Sequence, residues 1–316
     1  MSAESELIRA LRALAPSPAA RGLADDAAVL EFGGRRLVLT HDLLVEGVHF
    51  LPADPPQDVA WKLVAVNLSD LAAKGARPLG VLLGYPLGGE EWDRAFVEGL
   101  AAALAAFRVA LLGGDTVAAP RVLGLTAIGE AKGPVPSRGG ARAGDDLWVS
   151  GTIGDAGAGL RGLKGELPQD GGLVERYRRP EPRLEAGEAL APLVSAMMDV
   201  SDGLLIDASR IAEASGIALA IELSDLPLSG RCRRAGGDDV PARLAAASAG
   251  DDYELLFTAA PERSEAIGAV AARLDLPLTR IGRATAGAGL ALTQGGAPAA
   301  LPARLGWEHG ARPHGS

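Results

Sequence analysis

Cysteine is almost absent: Cys232 is the one thiol in 316 residues. A disulfide within the chain and a cysteine-rich zinc site are both excluded, which fits a reducing cytoplasm. Basic clusters are equally scarce. The formal net charge is -9 and the densest basic piece is Arg231, Arg233 and Arg234. A nucleic-acid binder would present a basic surface, so that class is set aside. No apolar run approaches a membrane span. The start, Ser-Ala-Glu-Ser-Glu-Leu-Ile-Arg, lacks the basic-then-apolar order of a secretory signal. Also missing are a Gly-Lys-Ser/Thr phosphate loop and the protein-kinase signatures. The expectation is a cytoplasmic protein with neither a membrane nor a nucleic acid as partner.

What is present is a long, mixed chain. Hydrophobic residues make up 48% and charged residues 22%, enough for ordered cores and more than one compact core would hold. Apolar spacing predicts helices over 4–14 (Leu7, Leu11 and Leu14 on one face), 58–74, 91–107, 156–164, 203–215 and 261–274. Strands are expected over 27–32, 35–40, 79–84, 109–112, 122–130, 147–150, 197–200, 217–223, 253–258 and 278–283. Gly33-Gly34 reads as a hairpin turn, Asp58 as a helix cap and Gly75 as a helix stop. Each half mixes strands and helices, so the class is α/β (α+β). The Gly-, Pro- and Arg-rich stretch from Lys132 to Asp146 reads as a linker. It divides the chain into 1–135 and 136–316. The tail from Gly306 is expected to be loosely ordered.

The aspartates carry the chemistry. Asp25-Asp26 precede a strand; Asp42 and Asp115 follow strands; Asp199 and Asp202 lie between a strand and a helix; Asp251-Asp252 precede a strand. Strand ends facing helix starts are where α/β folds place ligands. Oxygen-rich clusters select hard cations such as magnesium, which takes few carboxylates per ion and pairs with substrate phosphates. Singly, Asp202 fits a helix cap, and Asp25, Asp26, Asp115, Asp251 and Asp252 fit turns. Asp70 differs. It continues the apolar stripe Val59, Leu63, Val66, where a carboxylate is costly unless paired or metal-bound. Lys74, four residues on, offers a salt bridge as the alternative. The glycine run Gly151 to Gly159 follows a strand and opens a helix; it suits close helix–strand packing as well as phosphate. His49, Arg138 and Trp307 each have a plain packing or solvated reading beside a ligand-binding one.

In order along the chain stand Asp25-Asp26-Ala27-Ala28, His41 through Phe50, Lys62 through Ala73, Gly113-Gly114-Asp115-Thr116, Asp199 through Leu204, and Gly250 through Leu255. From Glu6 to His309 this series resembles the thiamine-monophosphate kinase family. That family sits in a superfamily with aminoimidazole ribonucleotide synthetase, selenophosphate synthetase and a hydrogenase maturation protein. The resemblance implies an ATP-dependent, magnesium-dependent phosphorylation of thiamine monophosphate to thiamine diphosphate. It also implies homodimers paired through N-terminal sheets, with a cleft between N- and C-terminal domains. It assigns Asp26, Thr40, His41, Asp42, Asp70, Asp115, Asp199 and Asp202 to magnesium. Gly114, Asp115, Arg138 and Ser201 go to ATP; His49, Asp251 and Trp307 go to thiamine monophosphate. No general base is expected. Three positions depart from the family pattern: His41 replaces a threonine, Asp251 a glutamate, and Gly310 an aromatic. Alternatives are another ATP-dependent synthetase of the superfamily, or a nucleotide- or thiamine-phosphate-binding protein without turnover.

Overall fold

The computed structural model describes residues 3–308. The first half runs α1 (Ala3–Arg12), β1 (Ala28–Phe32), β2 (Arg35–Val45), α2 (Pro56–Ala73), β3 (Arg77–Pro86), α3 (Glu90–Ala106), β4 (Ala110–Val117) and β5 (Val122–Ala131). Its strands form one sheet in the order β1-β2-β5-β3-β4, antiparallel except for the β3–β4 pair. Gly33 and Gly34 both take positive φ (58° and 75°), the geometry a two-residue hairpin needs, and β1 folds back on β2 as expected.

One face of this sheet is core. Val38, Leu44, Val81, Leu123 and Leu125 pack there with Leu63 and Phe96. The other face leaves Leu43, Leu82 and Leu112 exposed, and edge strand β4 is exposed along its whole length. The apolar face of α1 is uncovered too, with Leu7 and Leu11 exposed, as is Leu14 just beyond its end at Arg12.

The second half continues with β6 (Asp146–Ser150), α4 (Asp155–Leu163), α5 (Gly171–Arg178), α6 (Leu184–Leu190), β7 (Ala196–Asp199), α7 (Leu204–Ser215) and β8 (Ala218–Glu222). Then come α8 (Gly230–Gly236), α9 (Val240–Ala247), β9 (Leu255–Ala259), α10 (Ser264–Leu274), β10 (Leu278–Thr285), β11 (Gly289–Gln294) and β12 (Ala297–Ala299). They build a seven-stranded sheet in the order β12-β11-β8-β10-β6-β9-β7, mixed in direction. Helices α5, α6, α8 and α9 and strands β11 and β12 add to the elements expected from periodicity.

Helix α2 joins the two sheets. From Val59 to Ala73 only Trp61 is not fully buried. A helix apolar on all sides must be enclosed, and α2 touches β2 and β5 on one side and β7 and α6 on the other. At its end Gly75 takes φ +59°, and a Cβ there would lie 2.6 Å from that of Ala191. At Gly187, in α6, a Cβ would meet the Ala72 carbonyl oxygen at 1.9 Å. The two halves therefore touch backbone to backbone.

The glycine run serves the same end. A Cβ at Gly159 would stand 2.1 Å from the Leu173 oxygen, and one at Gly157 2.3 Å from Ala249. These glycines let α4 close onto α5 and α9. No helix among the described residues is long and apolar enough to cross a membrane.

Several local expectations are corrected. Asp42 and Asp115 lie within strands β2 and β4, which run further than periodicity indicated. Asp58 does not cap α2; Pro55 holds that position, and Asp58 pairs with Arg179. Tyr253 precedes its strand and takes φ +51°. Gly306 and Trp307 are docked rather than loose. Trp307 N–H donates to the Asp202 carbonyl at 2.9 Å, and a Cβ at Gly306 would meet Ile206 at 2.4 Å. Gly310 lies outside the described residues.

Candidate active site at the seam between the sheets

The acids converge where α2 passes between the sheets. Oxygens of Asp26, Asp70 and Asp199 all lie within 4.8 Å of one another. Asp26 comes from the turn before β1, Asp70 from the end of α2, and Asp199 from the end of edge strand β7. Hydroxyls orient two of them. Thr40, on β2, bonds to Asp70, and Ser69 Oγ donates to Asp199 at 2.6 Å. Asp42 has its N–H bound to Asn67 Oδ1 at 3.0 Å, which ties β2 to α2.

Charge is distributed unevenly. Lys74 does not pair with Asp70, the alternative its spacing allowed. Its fully buried ammonium pairs with Asp25 and Asp26. Arg138 Nε donates to Asp26 at 2.6 Å. Burial works to raise the Asp26 pKa, but Lys74 and Arg138 outweigh it and hold the carboxyl below its usual range. Asp70 has no such partner. Burial, then Asp42 and Asp199, push it well above the ordinary value. Burial and the Asp26 charge push Asp199 to about 8. Asp42 is raised as well, by burial first and by Asp202 and Asp26.

Asp70 and Asp199, buried carboxylates that lack counter-charge of their own, stand beside the cation-paired Asp26 and together form a donor set for a hard cation. The atoms it offers to an ion are carboxylate oxygens, the donors magnesium takes together with phosphate and water. The residues present fit that ion.

Asp202 and Ser201 border the cluster. Asp202 is not the cap of α7. Asp207 accepts the N–H groups of Ser201, Asp202 and Gly203 at 3.1, 3.1 and 3.2 Å, and so shapes the loop from inside the helix. Arg210 bridges Asp202 and Asp207, at 2.6 Å to each. Burial raises Asp207 to about 7 despite Arg210. Asp207 and Arg210 were not singled out from sequence; Asp207 lies in the first turn of α7, where only the folded loop reveals its three donors.

Three of the sequence-derived site residues stand apart. His41 alternates to the opposite face of β2 from Thr40 and Asp42. Its imidazole is exposed and bonded to Thr126 Oγ1 at 2.9 Å, so its side chain does not join the acids. Gly114 and Asp115 lie on edge strand β4, separated from β2 by β5 and β3. At ordinary strand spacing that is about 14 Å. Asp115 is exposed and bonds within the described residues to its neighbour's N–H, Thr116, at 2.9 Å.

Of the residues that the family resemblance assigns to the acceptor, His49 and Asp251 meet around Lys62, toward the other end of α2, whereas Trp307 sits beside Asp202. His49 Nδ1 accepts the Val45 N–H at 3.0 Å, which leaves the neutral ring's proton on Nε2. Asp251 takes φ +68° and receives Tyr253 Oη at 3.0 Å. Trp307 shows half its surface to solvent.

Comparison with known proteins adds to this geometry. The profile of AIR synthase related protein, N-terminal domain, matches residues 24–131, and that of the C-terminal domain matches residues 142–295. A thiamine-monophosphate kinase of Caulobacter vibrioides is 43% identical over 304 residues, covering 93% of this chain and 86% of the relative. The crystal structure of thiamine-monophosphate kinase from Stenotrophomonas maltophilia K279a superimposes with a TM-score of 0.77 at 42% identity, covering 93% of this chain and 96% of that one. A structure of AaThiL complexed with AMPPCP and TMP superimposes with a TM-score of 0.83 at 32% identity, covering 96% of both chains. By fold, by the order of its acidic segments and by identity across its length, this chain belongs to the AIR synthase related family and, within it, to the thiamine-monophosphate kinases.

Proposed function

We propose that the protein transfers the γ-phosphoryl group of ATP to thiamine monophosphate, giving thiamine diphosphate. The carrying observation is the buried cluster Asp26, Asp70 and Asp199, with Asp42 beside it. Relatives covering nearly the whole chain bear this activity in their names, and one binds AMPPCP and TMP together.

The difficulty of this reaction is charge rather than proton transfer. The acceptor phosphate has a second pKa of roughly 6, by analogy with phosphorylated side chains, and is mostly a dianion at neutral pH. No general base is required. Two anions must instead approach in line. Asp26, Asp42, Asp70, Asp199 and Asp202 would hold magnesium, which would supply the positive charge that the phosphates lack.

The protein's own residues do the rest. Thr40 and Ser69 fix the orientation of Asp70 and Asp199. Arg138, from the stretch joining the halves 1–135 and 136–316, offers a guanidinium to ATP oxygens beside Asp26. Ser201 adds a contact from the loop shaped by Asp207. His49, Asp251 and Trp307 receive the thiamine moiety. The His41 ring faces away and takes no part in holding the metal.

Gly114 and Asp115 enter this reading through a second copy of the chain. Their strand is an exposed edge beside the apolar Leu43, Leu82 and Leu112. Pairing of two copies through these faces covers the apolar surface and carries Asp115 toward the partner's acids. Sedimentation analysis checks this: a dimer is expected, weakened by Leu112→Glu. The setting is a cytoplasmic biosynthetic enzyme.

The decisive assay supplies ATP, magnesium and purified protein with thiamine monophosphate, thiamine or another phosphorylated acceptor, and identifies the product. Thiamine diphosphate from the first acceptor alone is expected; none would overturn the reading. Asp42→Asn should abolish turnover with the fold intact, and retained activity would remove Asp42 from the metal site.

A further inference from the structure

The Lys62 side chain is 2% exposed, yet its ammonium is fully engaged. It donates to the His49 carbonyl oxygen at 3.0 Å and to Asp251 Oδ2 at 3.0 Å. It also lies 4.0 Å from the centroid of the Tyr177 ring. Tyr177 is itself buried on α5. One cation thus holds the loop after β2, the turn before β9 and helix α5.

A buried ammonium is costly unless each of its donors is satisfied. Here the partners belong to both halves of the chain, and two of them sit in the residues that receive the acceptor. The Asp251 turn needs such support. Asp251 and Tyr253 both take positive φ, 68° and 51°, a conformation that side-chain-bearing residues adopt at a cost. The turn is pinned by Asp251 N–H to the Ser201 oxygen, Tyr253 N–H to the Val200 oxygen, both at 2.8 Å, and by Lys62 from the other half. Lys62 is the only one of these pins that also touches the His49 loop.

We propose that Lys62 is a positioning residue for acceptor recognition. It sets the separation between His49 and Asp251 and orients the Asp251 carboxylate toward phosphorylated thiamine. Being enclosed, it acts through those two groups and does not itself touch the phosphate. This rests on the reading that His49 and Asp251 receive thiamine monophosphate.

Lys62→Met keeps the length of the side chain and removes the charge. Asp251, with 27% of its side chain exposed, stays solvated in this variant. The KM for thiamine monophosphate is expected to rise about tenfold or more, with the KM for ATP within about twofold. Lys62→Arg should recover part of the loss. Lys62→Gln, a second uncharged variant, should show the same selective loss should Lys62→Met fold poorly. Unchanged constants, or equal increases for both substrates, would overturn the proposal. Calorimetric titration with thiamine monophosphate alone separates the two readings. A wild-type chain that binds but does not turn over contradicts the assigned reaction. Unaltered binding by the folded uncharged variants contradicts the role of Lys62.

Discussion

Asp70 and Asp199 meet from different halves of the chain, each bonded by one hydroxyl, Thr40 and Ser69, and among the described residues by no lysine or arginine. Their pKa values are raised by burial and by each other's neighbourhood. Magnesium binding must therefore displace protons. Affinity should tighten as pH rises from about 6 toward about 8, with proton release visible as buffer-dependent heat in calorimetry. A pH-independent affinity would contradict the assignment of these two acids to the metal.

The same pair makes a stability prediction with a definite sign. A carboxyl whose folded pKa is raised binds more protons folded than unfolded. Stability then falls as pH climbs from the unfolded value of about 4 toward the folded value, about 8 for Asp199. Asp26 works oppositely, but its contribution is complete above its unfolded value. Thermal unfolding of the metal-free protein should therefore drop in midpoint between pH 5 and pH 8, and magnesium should offset the drop. Asp70→Asn should raise the metal-free midpoint by about 2 °C or more while lowering turnover at least about a hundredfold.

Asp207→Ala removes the acceptor of three consecutive N–H groups and leaves Arg210 half-paired. A loss of about 2–3 kcal/mol in chemical denaturation is expected. Because the freed loop holds Ser201 and Asp202, the KM for ATP should rise as well. An unchanged KM for ATP would show that the loop keeps its form without Asp207.

Gly187→Ala places a methyl group within the Ala72 carbonyl, where α6 meets α2. Overpacking of this kind costs about 1–3 kcal/mol. The test is denaturation combined with assay: stability and turnover should fall together, since α2 carries the site.

Much of this was legible before folding. The strands and helices with clear periodicity stand within a few residues of their expected places, and Asp70 was marked by its position on an apolar stripe. Other features had readable signals that periodicity overshadowed. Asp170, Ser229 and Asp239 each cap a helix, α5, α8 and α9, and Pro241 follows the third cap. Those helices are too short to show a face. What no local pattern carries is long-range pairing. That Lys74 seeks Asp25 and Asp26 rather than Asp70, or that Lys62 reaches Asp251 from 189 residues away, depends on how the sheets dock on α2. The orientation of His41 was readable in principle, because strands alternate. It needed β2 to be recognised past residue 40.

Helix α2 also works as a ruler. Lys62, beside His49 and Asp251, and Asp70, in the acidic cluster, are eight residues apart on one rigid rod, about 12 Å at the usual rise. Deleting a single residue between them would swing everything beyond it by about 100°, carrying Asn67, Ser69, Asp70 and Lys74 away from their partners together. Side chains at either end can thus be exchanged one at a time, while the span between the two ends is locked by the rod itself.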